Sequence, residues 1–491
     1  MRTLCIYDNH IEPHSSIKNI IGDKTFGDVI LKRKSIKSNF LGFIRKQKVI
    51  DEVLELDYSW QIDALVGKIR NYEPDIKIVH IFSDFIILDE SSIALLLKKA
   101  PFIEENYVCL NEQVPAVLMM DDREEYCQFL TKNASVLQDK NIYGNRSSKN
   151  HFEAFSVNGL WYLGNYENFI QYISGGFDAR FFNSVKGDKF TVTKTSTNKK
   201  KIKAEYDFYR LLPDPMKTWF VMPYNYQELP DQASYEMERY HMTDLAIRWV
   251  HGAIDISEFE KLLSKVFHFI QIRSKKNISD AEYLQTEKGL YLQKLEERIQ
   301  LLKEHPQYLL FQKYIENGTE YSGLDEIVSE YKQTYSKITH DLKRESVSVI
   351  GHGDLCFSNM LFNKDGELLK LIDPKGAEEE AQLWTNPYYD LAKLSHSICG
   401  RYDFFNNGLY HISLDTELKF RLDIDFDNTP YKELFRKYLE NNGYSYLAVR
   451  IYEVSLFLSM LPLHIDNQQK VFGFILNAIN ILEEIRQCLD K

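Results

Sequence analysis

The chain has 491 residues, more than one hydrophobic core usually organises, so two or three domains are expected. Apolar residues at 44% and charged residues at 27% are ordinary for a folded protein, and they set aside disordered, collagen-like and coiled-coil chains. A formal charge of -11 gives no general attraction to nucleic acid or anionic lipid, so a nucleic-acid partner is not expected.

The opening MRTLCIYDNHIEP has one Arg and a short apolar run broken by Asp8, Asn9 and His10, so it lacks the apolar region of a signal peptide. No run approaches the roughly 20 apolar residues that span a bilayer. The six cysteines (Cys5, Cys109, Cys127, Cys356, Cys399, Cys488) form no C-x-x-C pair, the usage of a reducing cytosol. A cytoplasmic protein without membrane insertion is expected.

Up to about residue 135, short β-rich runs alternate with helical patterns: TLCIY, DALVGKIRNY, IKIVHIFSDFIIL, SSIALLLKKA, AVLMM and REEYCQFL. Such alternation predicts an α/β layer structure with mainly parallel strands. The polar stretch 130–150, rich in Asn, Ser and Lys, reads as an exposed connection, with a domain boundary near or just after it. From Gly175, GGFDARFFNSVKGDKFTVTKTS gives two β runs around Lys186, Gly187 and Asp188, which is hairpin chemistry. Helical KIKAEYDFYRLL follows, then the strands WFVMPYNY and ASYEMERY, then a crossover. Residues 255 to about 345 and the last hundred or so have helical texture. The pattern divides the chain into an α/β domain over 1–165, a strand-rich lobe over 166–245 and a helical lobe over 246–491.

The chemistry-bearing stretch is GHGDLCFSNMLF, Gly351 to Phe362, followed by LIDPKG. Asp354 precedes Asn359 by five residues, and the apolar runs MLF and LLKLI around NKDGE predict a tight hairpin that returns Asp373 beside Asn359. Carboxylate and amide oxygens gathered in this way suit hard Mg²⁺. The spacing is that of a kinase-type catalytic loop, in which the base Asp precedes a metal-binding Asn and a second Asp after a hairpin holds the metal. Such a site also needs a strand Lys for the phosphates and a helix Glu to pair with it; Lys194 in FTVTKTS and Glu205 in the next helix have that order. An isolated H-G-D is usually structural, and Lys194 beside the run Asn198 to Lys201 reads equally as a surface lysine when taken alone.

At this point the chain resembles the aminoglycoside phosphotransferase and choline kinase superfamily, small-molecule relatives of the protein kinases, whose loop reads H-G-D-x-x-x-x-N and whose metal Asp sits in an I-D motif. HGDLCFSN, LIDP and NPYYDLAKL match these elements, and the likeness covers roughly residues 170 to 465. It implies an α+β bilobal protein kinase-like domain with a mostly helical C-lobe. Asp354 would be the catalytic base, His352 and Asp390 supports of its loop, and Asn359 and Asp373 the Mg²⁺ ligands. Lys194 and Glu205 would serve ATP, Gly175 and Gly176 would cover its phosphates, and Glu238, Tyr240 and the backbone through His241 would form the adenine hinge.

A narrower likeness concerns capsule and surface-polysaccharide proteins in which a sugar-nucleotidyltransferase-like domain precedes the kinase; ARFFNSV, VTKTS and YYDLAKLSHSICGRYDF resemble theirs, and GLWYLGNYENFIQY resembles the W-x-x-x-G element of a nucleotidyltransferase. CIYDNHIEPHSS departs from that pattern, since it lacks the Gly-rich basic loop that binds a triphosphate, although Asp84 occupies a position like that of the metal Asp. A degenerate nucleotidyltransferase-like domain is therefore expected. The implied activity is ATP- and Mg²⁺-dependent phosphorylation of a hydroxyl on a small metabolite, with a pseudokinase scaffold and a bifunctional nucleotidyltransferase-kinase as alternatives.

Other residues have plainer readings. Lys375 would meet an anionic substrate or simply occupy an exposed turn. Trp384, Tyr388, Arg401 and Tyr402 read as core more readily than as acceptor lining, and His396 and Cys399 as packing. No His/Cys metal cluster and no G-x-S-x-G elbow occurs, which leaves zinc and serine-hydrolase chemistry without support.

Overall fold

A computed structural model describes residues 2–133, 152–174, 185–187, 190–365 and 367–490. The chain divides into two compact units, Met1–Phe177 and Asp178–Lys491. Among the described residues no helix is long and apolar enough to cross a membrane. None of the six cysteines is in a disulfide, and five are buried.

The first unit is built on a six-stranded sheet in the order Glu52–Leu56, Thr3–Asp8, Lys77–Phe82, Val114–Met120, Tyr107–Asn111, Glu153–Ser156. The first three strands are parallel, Val114–Met120 runs against both of its neighbours, and the edge strand Glu153–Ser156 is parallel to Tyr107–Asn111. Thr3–Asp8 and Lys77–Phe82 are buried along their whole length, as central strands covered on both faces must be. IKIVHIFSDFIIL, expected as one run, breaks at Ser83 and Asp84, and its second half, Phe85–Ile87, leaves the main sheet to pair with Leu160–Tyr162. Apolar content alone does not reveal such a break, because both halves remain buried.

The second unit begins with a four-stranded antiparallel sheet in the order Val185–Gly187, Thr191–Ser196, Ala233–Glu238, Pro223–Glu228. The helix Lys199–Leu211 lies on the connection from Thr191–Ser196 to Pro223–Glu228; Asn198 caps it, its side chain accepting from Lys201 N at 3.1 Å. Ile202, Glu205 and Phe208 recur at three-residue intervals and are its buried residues, so the periodicity that seats the helix also turns one carboxylate inward.

The remainder is mostly helical and encloses a large apolar core. Trp249, fully enclosed, meets Phe259, Phe357, Phe426 and Tyr431 with ring centroids 4.8 to 5.8 Å apart. A small sheet places Val347–Ile350 between Lys275–Asn277 and Trp384–Thr385, and the hairpin Met360–Asn363 with Leu368–Leu371 follows. Two departures from plain helix occur. A π-type turn at Gly289–Gln293 joins the helices Asp280–Lys288 and Lys294–Lys303. A second hairpin, His411–Leu414 with Phe420–Asp423, lies in the terminal stretch expected to be helical. Its turn is set by Asp415, whose carboxylate accepts from the N–H groups of Glu417 and Lys419 at 2.8 and 2.9 Å, with Leu418 left-handed at φ 63.

Burial, with the charge of Asp244 adding to it, pushes the Asp403 carboxyl up from its ordinary 3.8 to about 7. The folded protein therefore retains a proton that the unfolded chain has released, and stability should fall as pH rises from about 4 to about 7. Chemical denaturation across that window should show this slope, and Asp403→Asn should flatten it; an equal slope in the variant would disprove the assignment.

Candidate active site

The chain segment GHGD leaves the buried strand Val347–Ile350 and is fixed by the carboxylate of Asp390, which starts the helix Tyr389–Ile398. Asp390 Oδ2 accepts from His352 N at 3.0 Å and Oδ1 from Gly353 N at 2.8 Å. Arg273 closes the arrangement: its Nη1 donates to Asp390 Oδ2 at 3.1 Å and its Nη2 to Pro387 O at 3.2 Å, with both charged side chains fully buried. Gly351 is required here, because a Cβ would lie 2.6 Å from Thr385 Cγ2 and 3.0 Å from Asp390 Oδ2. Gly353 has φ 81, a conformation that costs glycine little.

His352 is buried and stacks on Phe220 at 5.7 Å. Asp354 N–H donates to its Nδ1 at 3.1 Å, which makes Nε2 the protonated nitrogen, and that nitrogen faces Ile372 O at 2.9 Å. Burial lowers the imidazole pKa, in keeping with a neutral ring. Both ring nitrogens are thus engaged with backbone, and His352 ties the Asp354 loop to the segment that carries Asp373.

The hairpin brings the oxygen donors together. Met360 pairs with Leu371, and Ile372 N donates to Asn359 O at 3.1 Å, so Asp373 emerges next to Asn359. Asn359 Nδ2 donates to Asp354 O at 2.8 Å and to Asp354 Oδ2 at 3.1 Å, which leaves its Oδ1 to face elsewhere. Asp373 is left-handed, with φ 54, and its side chain is 44% exposed.

Lys194 completes the cluster. Its Nζ lies 2.7 Å from Glu205 Oε2 and 2.9 Å from Asp373 Oδ1. Lys194 stands directly across the sheet from Tyr235, and Tyr235 OH donates to Glu205 Oε2 at 3.1 Å, so the two facing positions converge on one carboxylate. Burial would lower the Lys194 pKa, but Asp373 and Glu205 more than offset it, and the ammonium is held above its ordinary value. At Asp354 burial would raise the pKa, while Lys393, whose Nζ is 3.0 Å from Oδ1, brings it below the ordinary value with help from the Asn359 amide.

The segment expected as the hinge is the end of the strand Ala233–Glu238 and the residues that follow. Glu238 is exposed, Arg239 N–H already donates to Phe190 O at 2.8 Å, and the Tyr240 ring lies 5.7 Å from Lys370 Nζ. Gly175 and Gly176 lie outside the described residues. Lys375 N donates to His352 O at 3.0 Å and its side chain lies over Gly353. Tyr388, His396 and Cys399 are buried, and Tyr402 stacks on His396 at 4.3 Å. Arg273, Tyr235 and Lys393 were not singled out from the sequence; each acts across a large sequence separation, and only the i, i+3 relation of Lys393 to Asp390 was a local cue.

In the first unit, Asp84 is buried at the turn after the strand Lys77–Phe82, where Leu163 N donates to its backbone oxygen at 2.8 Å. Asp8, at the end of the neighbouring strand, is bound through one oxygen to His10 and through the other to His80 Nε2 at 2.9 Å. Among the described residues no group of three or more His, Cys, Asp or Glu side chains is placed to hold a metal ion. A pair of oxygen donors such as Asn359 and Asp373 fits Mg²⁺ brought by a polyphosphate, since that ion keeps most of its shell for water and phosphate oxygens.

No protein-family model matches the chain, and no curated protein does. Among solved structures, a thermostable mutant of the aminoglycoside phosphotransferase APH(4)-Ia in complex with ADP and hygromycin B is 12% identical over 60% of this chain and 86% of that one, with TM-score 0.36. The apo form of that thermostable protein is 11% identical over 62% and 97%, with TM-score 0.34. A candidate fructosamine-3-kinase from Haemophilus somnus 129PT is 14% identical over 60% and 83%, also at 0.34. Superpositions this loose leave the architecture to be read from the chain's own strand order and contacts.

Arg273→Met would leave the Asp390 carboxylate buried without its counter-charge, at a cost of about 3–5 kcal/mol. The midpoint of urea unfolding should fall accordingly; a midpoint within error of the parent would show that Asp390 does not depend on Arg273.

Proposed function

We propose that the second unit transfers the γ-phosphoryl group of ATP to a hydroxyl of a small metabolite, with Mg²⁺ bound. The observation that carries this reading is Lys194 Nζ held at once by Glu205 at 2.7 Å and Asp373 at 2.9 Å, where the hairpin sets Asp373 beside Asn359, itself bonded to Asp354. Asn359 Oδ1 and the Asp373 carboxylate would hold Mg²⁺, which when bound neutralises phosphate charge. Lys194 binds the phosphates and Glu205 fixes its ammonium.

Asp354 accepts the hydrogen of the acceptor hydroxyl and directs its oxygen at the γ-phosphorus. A new P–O bond forms there, the bond to the β,γ-bridging oxygen breaks with its electron pair leaving on ADP, and the proton passes to the Asp354 carboxylate. With its charge stabilised by Lys393, Asp354 is a weak base, which suits a loose transition state in which positioning supplies most of the rate.

The resemblance of the sequence to capsule and surface-polysaccharide proteins supports a sugar, polyol or amino alcohol as acceptor and a cytoplasmic site of action. The resemblance of GLWYLGNYENFIQY to a nucleotidyltransferase element supports a nucleotidyltransferase-like first domain. Asp8, already bound by two histidines, supports a scaffold or binding role for that domain rather than a second activity. The presence of Asp354 beside Asn359 and Asp373 speaks against a pseudokinase.

ATP turnover with Mg²⁺ against a panel of sugars, polyols and amino alcohols tests the reading. Asp354→Asn should lower kcat roughly 10²- to 10⁴-fold while nucleotide still binds. Unaltered turnover in that variant would rule the mechanism out, and Mg²⁺-dependent nucleotide binding without turnover of any acceptor would favour the scaffold.

A further inference from the structure

The catalytic-loop carboxylate has a partner that the proposed reaction does not by itself require. Lys393 lies one helical turn after Asp390, and its Nζ reaches Asp354 Oδ1 at 3.0 Å; its side chain is 16% exposed against 42% for Asp354. The lysine therefore meets the carboxylate from the protein side, leaving the outer face of Asp354 open. The other oxygen, Oδ2, takes Asn359 Nδ2 at 3.1 Å. Each oxygen of Asp354 thus has one donor, the two donors come from different segments, and the plane of the carboxylate is fixed at both ends.

The terminal torsion of an aspartate is broad and roughly two-fold, so a carboxylate anchored through one oxygen turns easily about it. Misplacing a reacting group by about 1 Å can cost 10²-fold in rate. Stability gives a poor reason for this pair, since an ion pair with a partly exposed member contributes little. Placement gives a better one. Positions 390 and 393 share a helix face, and from that face Asp390 holds the backbone of the loop at His352 and Gly353 while Lys393 holds its reacting side chain.

We propose that Lys393 is a positioning residue of the phosphoryl-transfer site, fixing the Asp354 carboxylate in the plane from which it receives the acceptor hydroxyl. The proposal rests on the reading of Asp354 as the group that meets the acceptor. It assigns to the helix Tyr389–Ile398 control of both the path of the loop and the orientation of its side chain. On the nucleotide side, Lys194 is held by Glu205 and Asp373 rather than by the Lys393–Asp354 pair.

The test compares Lys393→Met and Lys393→Arg with the parent in Mg²⁺-dependent ATP turnover, with water or members of the acceptor panel as phosphoryl acceptor. Lys393→Met should lower kcat by about 100-fold and leave the KM for ATP within about twofold, and Lys393→Arg should restore part of the loss. Parent-like kcat in Lys393→Met overturns the proposal, as does a parallel change in KM. A crystal structure of Lys393→Met with AMP-PNP gives a second, activity-free readout. Its Asp354 carboxylate should be turned off Asn359 Nδ2, and a carboxylate still bonded there overturns the proposal even in a protein that turns over no ATP. Absence of turnover in the parent counts against the phosphotransferase reading alone.

Discussion

Everything in the site depends on one buried carboxylate that binds backbone. Asp390 takes the N–H groups of His352 and Gly353, and the buried Arg273 guanidinium meets it at 3.1 Å. The loop it holds then has a single path. His352 is set against the Asp373 segment, Asp354 faces outward, and Leu355 and Phe357 enter the apolar core on the far side. Phe357 packs on Trp249, and its N–H donates to Ser397 Oγ at 3.1 Å, so the same helix secures the loop at a second point.

Lys194 and Asp354 keep their charge by the same means. Burial alone would neutralise Lys194 and Asp354, and in each case a specific opposite charge within 3.0 Å reverses the outcome. Asp403 lacks such compensation and retains its proton instead. His352, also without a counter-charge at contact distance, is neutral and useful for that reason, because one ring nitrogen must accept and the other donate.

Local features were legible in the sequence and distant ones were not. The spacing of Asp354 and Asn359, and the apolar runs on either side of NKDGE, specify a loop and a hairpin that need little outside information, and the structure forms that hairpin in the register Met360 to Leu371. Lys194 and Glu205 were readable as a strand lysine and the inward position of the following helix. Their convergence with Tyr235 depends on which strand lies beside which, and no spacing encodes that. Arg273 is 117 residues from Asp390 and looks, in sequence, like any helix-terminal arginine. The hairpin at His411–Leu414 was hidden because its short runs sit among long helical patterns, and its turn depends on the side chain of Asp415. In the first unit the alternation of strand and helix was clear, whereas the break at Ser83 and Asp84 depends on a partner strand some 75 residues away in the sequence.

The central claim is that Asn359 and Asp373, together with Lys194, form one metal-nucleotide site. Calorimetric titration with AMP-PNP, with and without Mg²⁺, examines it most directly. The account predicts that Mg²⁺ tightens nucleotide binding to the parent protein and that this gain disappears in Asp373→Ala and in Asn359→Ala. Equal affinity with and without Mg²⁺ in the parent, or a full Mg²⁺ effect in both variants, would contradict it.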